Sequence, residues 1–300
     1  MSFVYVQSRL AMLLSIRFFA FFFLVLFTLN TSYSADKLKV VVWNLEWFPG
    51  GSPRATEEEK QVHRKAAAED LKKLNPDILI ACEVQNWKEF DALVRSVGLT
   101  TNVVSSFVSS YTGELWPQQV AIASRLPCRA VWAETFRPVI PTLPRGFVCA
   151  ALEVPETDEV LMVYGVHLKS NRANNDKQAQ ENYDKRDEGT IQILDHVAYM
   201  QRIVFKSSKI RGWIVGGDMN TNHDRIFGDH VVEKFVDAGF VNTWENVPKE
   251  KRMTWRGDGQ FDPVTFDYIF VKGFGKLDAT ILETSKETSD HEAVSLTLSL

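Results

Sequence analysis

Three hundred residues with 45% hydrophobic and 24% charged side chains make an ordinary globular composition. It excludes a disordered chain, a collagen-like repeat and a disulfide-dense mini-protein. Thirty-four basic against 38 acidic residues leave a net charge of −4, so no chain-wide basic field advertises nucleic acid, although a bound divalent cation can supply local positive charge to a phosphate.

The first 35 residues fit a secretory signal peptide. Arg9 and Arg17 precede the apolar run Phe18–Leu29, and the small and polar stretch Asn30 to Ala35 follows. Cleavage after Ser34 or Ala35 gives a secreted or periplasmic protein that begins near Asp36. The alternative is an uncleaved membrane anchor, because apolar residues reach back to Leu10 and a span needs about 20 of them. Without Arg9 and Arg17 the exported domain, residues 36–300, carries 32 basic and 38 acidic residues, net −6.

From Leu38 onward, short apolar runs predict strands at Leu38–Leu45, Ile78–Val84, Gln119–Ser124, Phe147–Val154, Val160–Leu168, Gly212–Asp218, Phe266–Val271 and Ala293–Leu300. Helical spacing predicts Glu57–Leu74, stopped by Asn75-Pro76, then Trp87–Val97, ending at Gly98, and a long helix between Asp176 and Lys209. Phe136–Phe147 is apolar but holds Pro138, Pro141 and Pro144, so it reads as a loop. No repeat or linker interrupts the pattern after residue 36, which predicts a single α/β domain. Of the three cysteines, Cys82 reads as a core residue, and Cys128 and Cys149 flank neighbouring strand-like runs where a disulfide is open.

Several strands end alike, with an apolar run followed at once by a carboxylate, amide or imidazole. Val40-Val41-Val42-Trp43-Asn44 is followed by Glu46; the second strand reaches Glu83; the fifth reaches His167, Lys169 and Ser170. The sixth gives Gly217-Asp218-Met219-Asn220, and the last two give Phe266-Asp267-Tyr268 and Ser289-Asp290-His291. Any one of them has a bland explanation as a cap, a bend or a packed histidine. Six together assemble the residue types of metal-assisted phosphate chemistry at one end of a sheet, where binding groups gather.

With these motifs in this order, the chain resembles the endonuclease/exonuclease/phosphatase superfamily, the DNase I-like fold, from about Lys37 to Leu300. Gly-Asp-x-Asn and the final Ser-Asp-His are the specific elements. Cys82 departs from the glutamine that commonly precedes the glutamate. The resemblance implies a four-layer α/β sandwich, two packed mixed β-sheets flanked by helices. It implies Glu83 as principal ligand for Mg²⁺ or Mn²⁺, helped by Asn44 and Asp290. It implies His291 as general base oriented by Asp267, Asp218 as positioner of the attacking water, Asn220 as donor to a phosphoryl oxygen, and His167 opposite His291. Tyr111 is the candidate for the substrate-side tyrosine. Lys169 and Arg172 are candidate phosphate-binding cations, whereas Lys177, Lys185 and Arg186 read as a solvated helix face. Trp47, Trp116, Trp244 and Trp255 are open between rim and packing roles.

The expected activity is that of a secreted metal-dependent phosphodiesterase, a nuclease acting on nucleic acid. A sphingomyelinase-like enzyme or an inositol-phosphate phosphatase, with phospholipid or inositol phosphate as substrate, is the alternative on the same fold. A non-catalytic binding module would have lost the catalytic groups, and Glu83, Asp218, Asn220, Asp267 and His291 are all present. No stable protein partner is evident in the sequence.

Overall fold

Strand propensity and helical amphipathicity sort the chain into two β-sheets with helices outside them, in a computed structural model that describes residues 37–109, 112–138, 142–205 and 209–300. The expected signal peptide, residues 1–35, lies outside the described residues, as does Tyr111. Strands are β1 (Lys37–Phe48), β2 (Ile78–Val84), β3 (Thr101–Val104), β4 (Gln119–Ser124), β5 (Cys128–Thr135), β6 (Gly146–Glu153), β7 (Val160–His167), β8 (Ile210–Asp218), β9 (Val241–Asn242), β10 (Asp267–Lys272), β11 (Thr280–Leu282) and β12 (Ala293–Ser299). The first sheet runs β11-β12-β1-β2-β4-β3 and the second β5-β6-β7-β8-β10-β9, six strands each.

Helices α1 (Glu57–Leu74) and α2 (Trp87–Arg95) cover the first sheet, packing Ala67, Leu71, Phe90 and Val94 onto Val41, Trp43, Leu79 and Ala81. Helix α1 starts on a capping box, Thr56 with Glu59, and ends at left-handed Asn75 before Pro76. Helix α3 (Asp176–Tyr199) lies on the second sheet, where His196 Nδ1 meets Tyr164 Oη at 2.9 Å, and a single π turn, Met200–Val204, follows it. That turn is where the long predicted helix loses its α geometry. Short α4 (Val231–Asp237) stacks Phe235 on Phe270 of β10 at 4.5 Å between ring centroids. The result is the four-layer sandwich the sequence implies. Among the described residues no helix is long and apolar enough to cross a membrane.

Alternation along β1 sends Val41 and Trp43 toward the helices and Val42 toward the second sheet. There it meets Gly216 of β8, which sits beside Gly165 of β7 in the parallel register. A Cβ on Gly216 would lie 2.6 Å from Val42 and 2.9 Å from Ile80, and one on Gly165 would lie 3.0 Å from Val120. The glycine pair lets the two sheets approach closely just beneath the strand ends.

Cys128 and Cys149 are free thiols. Antiparallel pairing sets Cys128 opposite Leu152 and Cys149 opposite Trp132, an offset of about three residues, or roughly 10 Å along the strand. A disulfide needs Cα atoms within about 7 Å. Among the described residues before β6, Phe136 and Leu143 are buried against Gly189 of α3.

Candidate active site

Register alone lines up half of the site. In the second sheet, parallel pairing puts His167 beside Asp218, and antiparallel pairing puts Asp218 beside Asp267, so β7, β8 and β10 present an imidazole and two carboxylates in one row. All three are buried. The first sheet delivers its groups through irregularity. The β1–β2 pairing shifts between Asn44 and Phe48, and the β2–β4 pairing shifts between Ala81 and Val84. Within those bulges Glu46, Trp47 and Glu83 take φ values of 44°, 51° and 63°, a left-handed region unusual for such side chains. Strain of this kind costs on the order of 1 kcal/mol or more per residue and clusters at functional sites. Asn220, at φ 50°, shares it.

The two sets meet across the sheets. Asn44 Nδ2 donates to Glu83 Oε1 at 3.2 Å and to Asp218 Oδ2 at 3.0 Å, while its Oδ1 accepts from Glu46 N at 3.0 Å. Asn44 thus ties both carboxylates and the bulge together. His291, on the loop before β12, places Nδ1 2.7 Å from Asp267 Oδ2 and Nε2 4.0 Å from Asp218 Oδ2. Ser289 of the same motif donates to Asn44 O at 2.7 Å and accepts from His291 N at 3.0 Å, strapping that loop to β1. His167 Nε2 stands 3.6 Å from Asp218 Oδ2 and 3.9 Å from Glu83 Oε1. Asn220 donates to Leu168 O at 3.3 Å, and its own N–H bonds Asp218 Oδ1 at 2.9 Å. The structure therefore brings together Asn44, Glu83, His167, Asp218, Asn220, Asp267, Asp290 and His291.

Charge in the site is unbalanced toward the negative. Burial opposes the His291 cation, but Asp267, Asp218 and Asp290 outweigh it and push the imidazole up to about 10. Burial, then the neighbouring Asp267, raises Asp218 to about 7. Burial and the charges of Asp290 and Glu83 raise Glu46 to about 7. His167 goes the other way: burial first, then Arg145, holds it well below the usual histidine range. The neutral imidazole is thereby favoured beside an acidic group.

Glu46 joins the site without a role implied by the sequence. Its Oε2 accepts from Asp290 N at 2.8 Å, and its only signal was its place two residues after Asn44. Arg145 carried no signal, since it precedes β6 outside the strand-end pattern. Its guanidinium donates to His167 O at 3.0 Å, Leu168 O at 2.7 Å and Gln118 Oε1 at 3.1 Å. Lys169 is half-buried, with burial and then Arg145 lowering it to about 8, and its Nζ turns back to Ser170 Oγ at 3.1 Å. Arg172 is exposed and is held through its carbonyl, which accepts from Asn182 at 3.0 Å. Arg186 corrects the solvated-face expectation. It is fully buried, bonded to Asp229 and to Lys169 O, because α3 turns that face onto the 219–230 loop. Trp244 is fully buried and holds Asp267 O at 2.9 Å, a packing role.

Carboxylate oxygens suit a hard cation, and the site holds one acidic cluster around Glu46 and one set of converging ligand atoms. The charges of Asp290 and Glu83 repel that of Glu46, and no cationic side chain is hydrogen-bonded to any of the three among the described residues, so their carboxylates are candidates to hold a divalent ion. Asp218, Asp267 and His291 have ligand atoms within 4.8 Å of one another. In that second group, however, Asp267 Oδ2 and His291 Nδ1 already satisfy each other.

A family model for the endonuclease/exonuclease/phosphatase family matches residues 41–291. The chain belongs to this family. Solved structures agree on the fold. Truncated TDP2 of Caenorhabditis elegans superposes at TM-score 0.60 with 19% identity, covering 88% of this chain and 98% of that one. SmcL gives 0.65 and 18%, covering 87% and 99%. A family member from Bacteroides vulgatus gives 0.62 and 15%, covering 88% and 99%. No curated protein matches the chain. Family and fold make it a phosphoric ester hydrolase of the kind that commonly uses a divalent metal ion.

Proposed function

We propose that this protein is an exported phosphodiesterase that hydrolyses nucleic acid with a divalent cation, Mg²⁺ or Mn²⁺, and a water activated by His291. The observation that carries the reading is the Asp267–His291 pair, 2.7 Å apart, whose free Nε2 points among carboxylates at the seam of the two sheets. Glu83 with Glu46 and Asp290 would hold the cation, which supplies Lewis acidity and neutralises phosphate charge when bound. Asn44 orients the carboxylates that face it.

The chain's own groups do the rest. His291 Nε2 takes the proton of the attacking water while Nδ1–H stays on Asp267, which fixes the tautomer. Asp218, between His167 and His291, orients that water. His167 is kept neutral, so its N–H is available to the departing oxygen or to the charge that builds on phosphorus. Asn220 donates to a phosphoryl oxygen, and Lys169 and Arg172 attract the flanking phosphate.

Nucleic acid is favoured over lipid because Phe136 and Leu143, apolar residues of the segment before β6 among those described, are buried against α3 rather than presented to a membrane. Export rests on the N-terminal segment, and mass spectrometry of the mature N-terminus near Ala35 or Asp36 tests it.

The deciding experiment incubates purified protein with plasmid DNA, RNA, sphingomyelin and inositol phosphates, with and without Mg²⁺. Metal-dependent cleavage of nucleic acid is expected. Turnover of lipid or inositol phosphate with nucleic acid untouched overturns the substrate, and full activity after exhaustive chelation overturns the metal.

A further inference from the structure

The carboxylate of Asp290 is more open than that of Glu83, with 41% of its side chain exposed against 13%. A side chain so open rotates freely unless something holds it, and one neighbour does. Trp255 Nε1–H donates to Asp290 Oδ2 at 2.8 Å, leaving Oδ1 3.8 Å from His291 Nε2. An indole offers one donor and no acceptor, so the bond selects which oxygen is tied and which is left for the site.

Trp255 is itself fixed. Its backbone exchanges hydrogen bonds with Val264, N to O at 2.9 Å and O from N at 3.2 Å, and its ring packs against Phe266 at 5.7 Å. The residues on either side are equally committed. Thr254 Oγ1 accepts from Asp267 N at 3.0 Å, and Arg256 N donates to Asp290 O at 3.0 Å. The segment Thr254–Arg256 therefore grips the strand start that carries Asp267 and the loop that carries Asp290 and His291. Arg256 reaches the Glu292 carboxylate, and Trp255 is the member that reaches the carboxylate of Asp290.

We propose that Trp255 is a positioning residue for the divalent cation, acting through the indole N–H that orients the Asp290 carboxylate. This rests on the reading that Asp290, Glu83 and Glu46 hold that cation. Hydrogen-bond partners of metal-ligating carboxylates typically change metal affinity about 10- to 100-fold when removed.

The test titrates chelator-treated protein with Mn²⁺ alone and follows free Mn²⁺ by electron paramagnetic resonance, with circular dichroism melts alongside. Trp255→Phe keeps a ring on Phe266 and loses the N–H, so Mn²⁺ affinity is expected to fall about 10- to 100-fold at an unchanged melting temperature. In an Asp290→Ala background the same substitution is expected to change affinity less than about twofold, since the group it acts on is gone. If phenylalanine unsettles the fold, benzothienylalanine at position 255, which retains the bicyclic ring without the N–H, reads the same quantity. Wild-type affinity in the variant lacking only the N–H overturns the proposal, as does an equal loss in the Asp290→Ala background. Wild-type protein that binds no Mn²⁺ overturns the parent reading, and that result is visible before any variant is made.

Discussion

Glu83 and Asp290, on the first sheet's side of the seam, leave 13% and 41% of their side chains exposed, whereas His167, Asp218 and Asp267 on the second sheet leave 4% or less. The first side is built on bulges with left-handed residues, the second on regular register. The difference suits the two tasks proposed for these groups. A hard cation keeps water ligands and needs an open, acidic edge. A proton relay needs groups whose hydrogen bonds do not exchange with solvent. His291 belongs to the loop before the first sheet's β12 and bonds the second sheet's Asp267, so the pair works only while the two sheets keep their spacing.

The sharpest way to break this division is to remove the relay. Asp267→Asn should lower kcat by about 10⁴-fold, because an amide favours the wrong imidazole tautomer. His291→Ala should lose as much, and it should also melt earlier, since Asp267 is fully buried and would be left without its partner. If the two act as one unit, the double mutant is barely slower than either; losses that multiply in steady-state kinetics would separate them.

Next in size is His167→Ala, expected to cost about 100- to 1000-fold in kcat with little change in KM, as for the loss of one donor to developing charge. A pure KM effect would move His167 from the reaction to substrate binding.

The pH profile sharpens the same contrast. A base with its pKa raised to about 10 by surrounding carboxylates is active only as the proton leaves, so kcat/KM should rise with pH on the alkaline side of neutrality. Asp267→Asn removes a negative charge, which lowers the imidazole pKa, so the limb of its residual activity should move to lower pH. A limb that stays in place would assign it to another group.

The smallest effect concerns a buried histidine away from the acidic edge. His63 accepts from Gly50 N at 2.8 Å and has no carboxylate partner among the described residues, and burial lowers it to about 4. The unfolded chain takes up this proton near pH 6.5 and the folded protein only near 4, so stability is lost as pH falls through that window. The loss is up to a few kcal/mol, from about 1.4 kcal/mol for each pH unit. His63→Gln should flatten the acid side of a melting-temperature profile; an unchanged profile would show that other groups dominate it.

The sequence carried the second sheet's row almost completely, because apolar runs that end in His167, Asp218 and Asp267 are local signals. It carried less of the first sheet's side. Glu46 turns inward only because β1 bulges after Asn44, and a bulge leaves no trace in hydrophobic alternation. Arg145 was invisible because two of its three partners are backbone carbonyls 22 and 23 residues away and the third, Gln118, lies outside the strand-end pattern. Edge strands β3 and β5 escaped because neither forms a continuous buried run. Arg186 was misread because charges interleaved along α3 look solvated until the 219–230 loop folds over them.

The glycines at 165 and 216 give the catalytic end a gauge. Each lies two residues before a candidate catalytic group, His167 and Asp218; both face Ile80, which precedes Glu83 on β2, and Gly216 also faces Val42, which precedes Asn44 on β1. A methyl at Gly216, 2.6 Å from Val42, acts as a shim between two jaws whose tips are the site. The clearance is thus machined several ångströms below the chemistry, by residues that never meet substrate. Substitutions there should retune the grip on phosphate and metal together, leaving every side chain of the site chemically intact.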